Sequence, residues 1–596
     1  MAKPYFWRST TAMAFDGLFL AAISAELSGL TGSRVDRIFQ PEKETVILHL
    51  RKGRDTRKLL LCSLSDQARV HLTTASFTNP PTPPLFCMVL RKHLEGGILT
   101  AVEQPGLERV LKLHFNTTDE LGRQAPRLLL IEIMGKHSNI ILLNPEGSII
   151  DAARRYTHAV SRHREVLPGR PYVPPPAQDK ADPRKLDDEA FTRLLYEGNW
   201  GDPLERLLVN RLAGVGPETA REIIHRAGLP AGTTLEGCGA YEVNRLYQAL
   251  GEVLAATGPA AWKPEVILRP EGEPLAFASF ELHQYQGLPR EHPATPGAAC
   301  DYFYSLRREH QLLEGTRRSL EHVLEKELKR CRKKEGLQAA TVAEAAGAEE
   351  FRLAGELITA NIYRIKKGQA SLTAANFYDP DGEPVTIELD PSRTPAENAQ
   401  WYFNRYNKAK HAARLAAAQL EQTKAEIAYL ESIAQAVSMA ATRDDLEEIR
   451  RELRQAGYLP EERDKQKPGK KAAKPEAHQP SRPLEFTSPD GFKILVGKNN
   501  RQNDWLTLKQ AADGDLWLHA KDIPGSHVII RTGGREVPAT TLETAARLAA
   551  RYSRAGQSSR VPVDYTLVKH VRKPPGARPG MVIYDHQRTV YVTPAE

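Results

Sequence analysis

Between Tyr402 and Ala441, small and apolar side chains fall at Tyr402, Tyr406, Ala409, Ala413, Ala416, Leu420, Thr423, Ile427, Leu430, Ala434, Val437 and Ala441. The steps alternate between four and three residues, a mean of 3.5, which keeps one stripe of a helix against the same neighbour throughout. A long packed helix is therefore expected, and its many alanines imply close approach of the partner. About 40 residues at ~1.5 Å each give roughly 60 Å of helix. The chain offers a partner too: Leu306, Leu313 and Leu320 recur every seven residues, followed by Leu324, Leu328 and Cys331. Helices are predicted over 302–333 and 396–454. About 60 residues separate them, including a strand-like stretch over 370–389. That is enough chain for the second helix to return antiparallel to the first with a capping subdomain between. Parallel dimerisation of two chains is the alternative.

At 596 residues the chain is too long for one core, so several domains are expected. Its 82 Lys and Arg against 74 Asp and Glu leave a net charge of +8, which permits an acidic partner without requiring one. Cys62, Cys87, Cys238, Cys300 and Cys331 are scattered and form no CxxC pair, which argues against a disulfide scaffold or a structural zinc site. No metal ligand set and no cofactor are expected. No run of 18 apolar residues is present, so no transmembrane helix is predicted. The opening stretch superficially looks like a signal peptide. Asp16 interrupts it, however, and Phe15, Leu18 and Ile23 continue as one helix face, so a cytoplasmic protein is expected.

Residues 13–176 alternate short apolar runs (46–50, 58–61, 127–134, 139–143) with turns, an α+β pattern with a helix at its start and another over 85–95. Proline clusters at 79–86 and 168–176 read as rigid connectors. In LVNRLAGVGPETAREIIHRAGL, Gly214 and Gly216 stand between two helical stretches. This fits a helix-hairpin-helix, whose glycines let the backbone turn sharply and aim amide groups at a phosphate. An ordinary helix pair with a glycine turn is the bland alternative. Residues 464–483 are basic and rich in proline and glycine, a flexible linker. The remainder mixes strands (492–496, 515–518, 527–531, 581–584, 589–592) with a helix over 541–555.

The window 491–530 gathers Lys493, Lys498, Asn499, Asn500, Arg501, Trp517, His519 and Lys521 among glycines. Cations, amides and flat rings together suit a phosphate backbone and its exposed bases. A polar surface loop is the alternative, and the alternation around Trp517 could equally direct that ring into the core. His519 and His527 also admit a metal-hydrolase reading, a weak one at eight-residue spacing without a helix to fix it.

The phrases GKNNRQND, DLWLHAKDIPGSHVI and VDYTLVKHVRKPPGARPGMVIY, with MAFDGLFL, EIMGKHSNIIL and YFNRYNKAKHA upstream, closely resemble the NFACT family. The likeness runs from Met13 to the C-terminus, which leaves residues 1–12 as an extension or places the start at Met13. It implies a multidomain α+β chain. The implied parts are a glycosylase-like N-terminal domain (13–180), a helix-hairpin-helix domain (181–255) and a strand-containing connector (256–301). A long antiparallel coiled-coil arm with a middle cap (302–460), a basic linker (461–483) and an α/β RNA-binding C-terminal domain (484–596) complete it. The implied function is ribosome quality control. Such a factor binds obstructed large (50S) subunits and their rRNA, carrying peptidyl-tRNA, and recruits alanyl-tRNA for template-free alanine tailing. The tail marks the stalled chain for degradation. Bond formation belongs to the ribosome, so no catalytic residue is assigned. A small RNA-binding co-factor of the tailing cycle is implied as a further partner, and no membrane.

The resemblance places tRNA contacts at Glu108 and Arg109, where the family has an Asp-Arg pair, and at Glu132, Ile133, Met134 and Lys136, where it often ends in Arg. Glutamate keeps the charge but reaches one methylene further, and lysine lacks the guanidinium fork. Core packing is the alternative for Ile133 and Met134. The fold also occurs in DNA glycosylases, but Met1-Ala2 and Met13-Ala14 offer no N-terminal proline and the cysteines no zinc finger. An extracellular-matrix (fibronectin) binding adhesin is the remaining alternative, opposed by the absence of a recognisable signal or anchor.

Overall fold

The computed structural model describes residues 15–118, 122–159, 163–176, 178–379, 383–460 and 482–595. The start at Met1 or Met13 and most of the basic linker lie outside the described residues. The chain forms two compact units, Met1–His310 and Gln311–Glu596. Among the described residues no helix is long and apolar enough to cross a membrane.

The first unit opens with α1 (Gly17–Ser28), capped by Asp16, whose Oδ1 accepts the Phe19 N–H at 2.8 Å. This helix is apolar nearly all round because it is covered on two sides. Phe19, Leu20, Ile23 and Leu27 pack on the main sheet, while Leu18 joins a separate helical cluster. That double burial is the physical reason the stretch reads like a signal peptide. Nine antiparallel strands follow: β1 (Arg34–Glu42), β2 (Thr45–Lys52), β3 (Asp55–Cys62), β4 (Arg69–Thr73), β5 (Ile98–Glu103), β6 (Val110–Thr118), β7 (Gln124–Glu132), β8 (Asn139–Leu143) and β9 (Ile149–Ala152). Their spatial order is β4-β3-β2-β1-β5-β6-β7-β8-β9, and α2 (Leu85–Leu94) packs in the same core. On β7 and β8 the alternation disappears because both faces are buried. Leu129, Ile131, Ile140 and Leu142 face the main core, and Leu130, Ile141 and Leu143 face a smaller one around Ile149 and Val166.

Helices α3 (Asp188–Tyr196), α4 (Leu204–Arg211), α5 (Pro217–Arg226) and α6 (Ala240–Ala256) supply the helical cluster. The stretch expected as a connector over 256–301 is part of the body. It forms a sheet of β10 (Glu265–Leu268), β11 (Pro274–Ala278) and β12 (Arg290–Glu291). Val266 and Phe277 enter the main core while Ile267, Ala276 and Ala278 enter the helical one. Successive strand residues point to opposite faces, so this sheet knits the two clusters together.

In the second unit, α7 (Pro296–Glu344) continues from Gln311 and is followed by α8 (Ala348–Ala360), a hairpin of β13 (Ser371–Ala375) and β14 (Pro384–Glu388), and α9 (Pro395–Met439). The long helices run in opposite directions: Arg317 Nη2 donates to the Ala440 carbonyl at 2.6 Å, Arg330 meets Glu426 at 3.4 Å and Gln338 meets Gln419 at 3.4 Å. Every seam residue from Tyr402 to Val437 is buried or half-buried. The helix expected over 396–454 is in fact two. Ala440 leaves the helical region at φ −60 and ψ 116, and α10 (Arg443–Gln455) begins at Thr442. Thr442 Oγ1 accepts the Asp445 N–H at 3.2 Å and Asp445 Oδ2 accepts the Thr442 N–H at 3.1 Å, a reciprocal cap. Leu446, Ile449 and Leu453 then fold back on Tyr429, Leu430 and Ile433.

The remaining strands, β15 (Leu484–Thr487), β16 (Lys493–Val496), β17 (Leu516–Ala520), β18 (Val528–Arg531), β19 (Val561–Leu567) and β22 (Arg588–Val592), make one antiparallel sheet in the order β15-β16-β18-β17-β19-β22. A separate ribbon pairs β20 (Val571–Arg572) with β21 (Ile583–Tyr584). The short α11 (Asn500–Trp505) follows β16, and α12 (Ala539–Arg551) covers one face of the sheet through Ala545, Ala546 and Ala549. Leu506, Trp517, Ile529, Val568 and Val571 close the other face.

Candidate functional site

Five separate stretches of the first unit meet at one cavity of about 370 Å³: the start of α1, the loop between β5 and β6, Met134 after β7, the segment with Gln178 and Lys180, and the end of α4 with the turn into α5. Their approach depends on glycine. A Cβ at Gly17 would lie 2.1 Å from the Leu107 carbonyl oxygen and 2.6 Å from Gly214 Cα, and Gly214 itself turns at φ +78. Leu18 N–H donates to the Gly214 carbonyl at 3.1 Å, and Gln104 Nε2 donates to the carbonyls of Gly17 and Glu108, each at 2.9 Å.

Asp16 sits at the start of two helices at once. Its Oδ1 caps α1, and its Oδ2 accepts from Gly216 N–H at 2.9 Å and from Thr219 Oγ1 at 2.6 Å at the head of α5. Burial pushes its carboxyl pKa up, while the hydrogen bonds from Thr219, Phe19 and Gly216 and the charge of Arg109 pull it down. Both helix dipoles favour the ionised form. Arg109 and Lys180 also line the cavity. Burial lowers the pKa of each; the charges of Asp16 and Glu108 counter this at Arg109, and at Lys180 Arg109 lowers it further while Glu108 opposes. Among the described residues neither cation closes a salt bridge within 4.0 Å. Two half-buried cations with no ion-pair partner among the described residues thus stand beside the backbone of a glycine turn at a helix start, an arrangement whose charge suits an anionic oxygen.

The structure thus brings Glu108, Arg109, Met134, Gly214 and Gly216 to one place, whereas the sequence suggested two independent sites. Asp16, Lys180 and Thr219 belong to the same arrangement and were missed. Asp16 carried a signal, since an acid just ahead of an apolar helix is a capping residue. Lys180 carried none.

Two expected contacts are corrected. Glu132 is fully buried, with Arg164 held in a bidentate pair at 2.7 and 2.5 Å and Tyr172 Oη donating at 2.8 Å, so its carboxylate is consumed internally. Ile133 is 0 % exposed and packs in the main core. Of this segment Met134 faces the cavity and Lys136 lies on the surface.

The C-terminal window is corrected more strongly. Trp517 is 0 % exposed, packed against Tyr584 at 4.7 Å between ring centroids, so it is a core residue and no platform for a base. His519 stacks on it at 5.7 Å and 12°, and burial lowers the pKa of His519 and of His527. His527 Nδ1 lies 2.8 Å from Thr507 Oγ1, an internal partner that explains its position without a metal. The GKNNRQND loop is a joint. Asn499 caps α11 and donates to Glu448 at 2.8 Å, Asn500 donates to Ser432 at 2.9 Å and Glu452 at 3.1 Å, and Lys498 pairs with Asp445 at 3.2 Å. These acids lie on α10, which the sequence reading had fused into the preceding helix. Arg501 is half-buried, while Lys493 and Lys521 remain exposed, Lys493 beside Glu485 at 2.8 Å. The five cysteines are free and buried.

Residues 16–472 match the NFACT N-terminal and middle domains, and residues 482–585 match the NFACT protein RNA binding domain. The chain is 40% identical over 587 residues to the Rqc2 homolog RqcH of Bacillus subtilis, covering 98% of each chain. It is 28% identical over 204 residues to the human ribosome quality control complex subunit NEMF, covering 34% of this chain and 18% of that one. Among solved structures, the fibrinogen binding protein from Staphylococcus aureus is 30% identical with a TM-score of 0.42, covering 49% of this chain and 99% of that one.

Proposed function

Because the chain belongs to the NFACT family, we propose that it is a ribosome quality-control factor that engages tRNA through the cavity at Arg109. It binds large ribosomal subunits that still carry peptidyl-tRNA, and recruits alanyl-tRNA so that the stalled chain receives an untemplated alanine tail and is marked for degradation. The ribosome forms the peptide bonds, and this chain supplies position and charge. A small RNA-binding co-factor joins the cycle. The antiparallel helices act as an arm, and the C-terminal domain contacts RNA through surface cations such as Lys493 and Lys521.

One observation carries this reading: Arg109 and Lys180, with no ion-pair partner among the described residues, line a cavity shared with the Gly214–Gly216 turn. Holding two such charges half out of water is costly unless a phosphate or another anionic oxygen completes them. Glu108 stands exposed at the rim, and its charge and that of Asp16 favour the charged form of the guanidinium without pairing with it.

The test is Arg109→Ala in the full chain. Loss of a charge-assisted contact costs about 1.5–3 kcal/mol, roughly 10- to 150-fold in tRNA affinity. Alanine tailing should fail while co-sedimentation with large subunits persists, since other surfaces make that contact. Normal tailing by a folded Arg109→Ala protein would refute the assignment.

A further inference from the structure

The β20–β21 ribbon carries a group of side chains that the proposed tRNA site does not use. Val571 pairs with Tyr584 across the ribbon, which sets His570 and Asp585 side by side at its end, with Asp585 N–H donating to the His570 carbonyl at 3.3 Å. Asp585 is anchored again from behind, its carbonyl accepting Thr566 Oγ1 at 2.9 Å. The next residue, His586, adopts φ +55, one of two non-glycine residues with positive φ among the described residues. That left-handed turn folds its ring back over His570, with 4.4 Å between centroids and 26° between planes. Positive φ is uncommon outside glycine, and histidine is among the few side chains that adopt it more readily.

Both rings present Nδ1 to the same carboxylate oxygen. His586 Nδ1 lies 2.8 Å and His570 Nδ1 3.4 Å from Asp585 Oδ1. One ligand atom from each residue lies within 4.8 Å of the other two. Arg572 Nη2 stands 3.2 Å from the opposite oxygen, Oδ2, so the carboxylate is steered while Oδ1 stays directed at the rings. Donor atoms around a tetrahedral zinc, at bonds of ~2.0–2.1 Å, are about 3.3–3.4 Å apart. The His570 contact already has that spacing. The His586 contact must open by about half an ångström and its ring must turn out of the stack so that both Nδ1 lone pairs meet one ion, and its side chain, 72% exposed, has room to do so.

We propose that His570, Asp585 and His586 form a divalent transition-metal site on the C-terminal domain, of the zinc or nickel class. On binding, each ring carries its proton on Nε2 and gives the Nδ1 lone pair to the ion, with Asp585 Oδ1 as the third ligand. Two imidazoles and one carboxylate favour zinc, nickel or copper over magnesium or calcium. The remaining coordination positions are open to water or to a ligand oxygen.

The test uses full-length protein freed of metal with a chelator, titrated with Zn²⁺ by calorimetry, with Mg²⁺ as the contrast. Wild type should take up one equivalent of Zn²⁺ with micromolar affinity and show no comparable uptake of Mg²⁺. His586→Asn, a residue that tolerates left-handed backbone, and Asp585→Asn should each weaken binding more than about tenfold, the scale of even an outer-shell loss. Their melting without metal should match wild type. Absence of Zn²⁺ uptake by wild type, or undiminished uptake by both variants, would overturn the site.

Discussion

Removing the Asp16 carboxylate should loosen the cavity before any RNA is involved. Asp16→Ala removes the cap of α1, worth about 1 kcal/mol. It also leaves the Gly216 N–H buried without an acceptor, at about 1–3 kcal/mol. The Thr219 hydroxyl can rotate, so its loss adds little. The local cost is then roughly 2–4 kcal/mol, which speeds hydrogen exchange at the two affected amides by about 30- to 1000-fold if they exchange by local opening. Asp16→Asn is the sharper perturbation, because it keeps size and removes one acceptor. Whichever way the amide turns, its NH2 faces either the Phe19 or the Gly216 N–H, both of which now donate to the carboxylate. One amide should therefore stay protected and the other should not. The assay is amide exchange by mass spectrometry on peptides covering 16–20 and 214–219. If both peptides of Asp16→Ala exchange within threefold of wild type, the carboxylate does not join the two helix starts and the account of the site is wrong.

Other consequences are open to direct measurement. Glu132→Ala should destabilise the first unit by about 3–5 kcal/mol in thermal or denaturant unfolding, because it strands Arg164, 6% exposed, as a buried unpaired charge. His71 is pushed down to about 4 by burial and by Arg69, so the folded chain binds fewer protons there than the unfolded one. Stability from this group is present above its ordinary pKa of 6.5 and is lost as pH falls from there through about 4; a melting profile of His71→Gln should lack that part of the slope. Glu448→Ala removes the acceptor of Asn499 and should raise exchange across 443–455, while Lys498→Ala should leave the salt dependence of the proposed large-subunit binding unchanged. A flattened salt slope in Lys498→Ala would show that this lysine meets phosphate after all. Lys493→Ala with Lys521→Ala is the pair expected to flatten it.

Periodicity determined the long helices of the second unit. The seam at 3.5-residue spacing fixed which face of α9 is buried, because a helix has one stripe and the stripe is written in the sequence. It overran only where the geometry changed, since Leu446, Ile449 and Leu453 continue a helical period and mask the break at Ala440. The capping pair Thr442 and Asp445 announced that break locally. In the first unit β2, β3, β7 and β8 were legible by position while β1, β4, β5, β6 and β9 were not, and β7 and β8 hid their packing, because burial on both faces erases alternation.

Long-range neighbours were decided by tertiary structure alone. Nothing local joins Asp16 to Gly216 and Thr219, 200 and 203 residues away, or brings Lys180 beside Arg109. The family resemblance named Arg109, and residue type and spacing named the glycine turn; the fold made them one cavity. The same logic reversed the C-terminal window. Asn499, Asn500 and Lys498 have the side chains of an RNA contact, and α10 places acids where RNA would have been. A polar side chain states what it can bind, and only its surroundings state what it does bind: hydrogen bonds and charge pairs are satisfied by whatever the folded chain brings within about 3 Å.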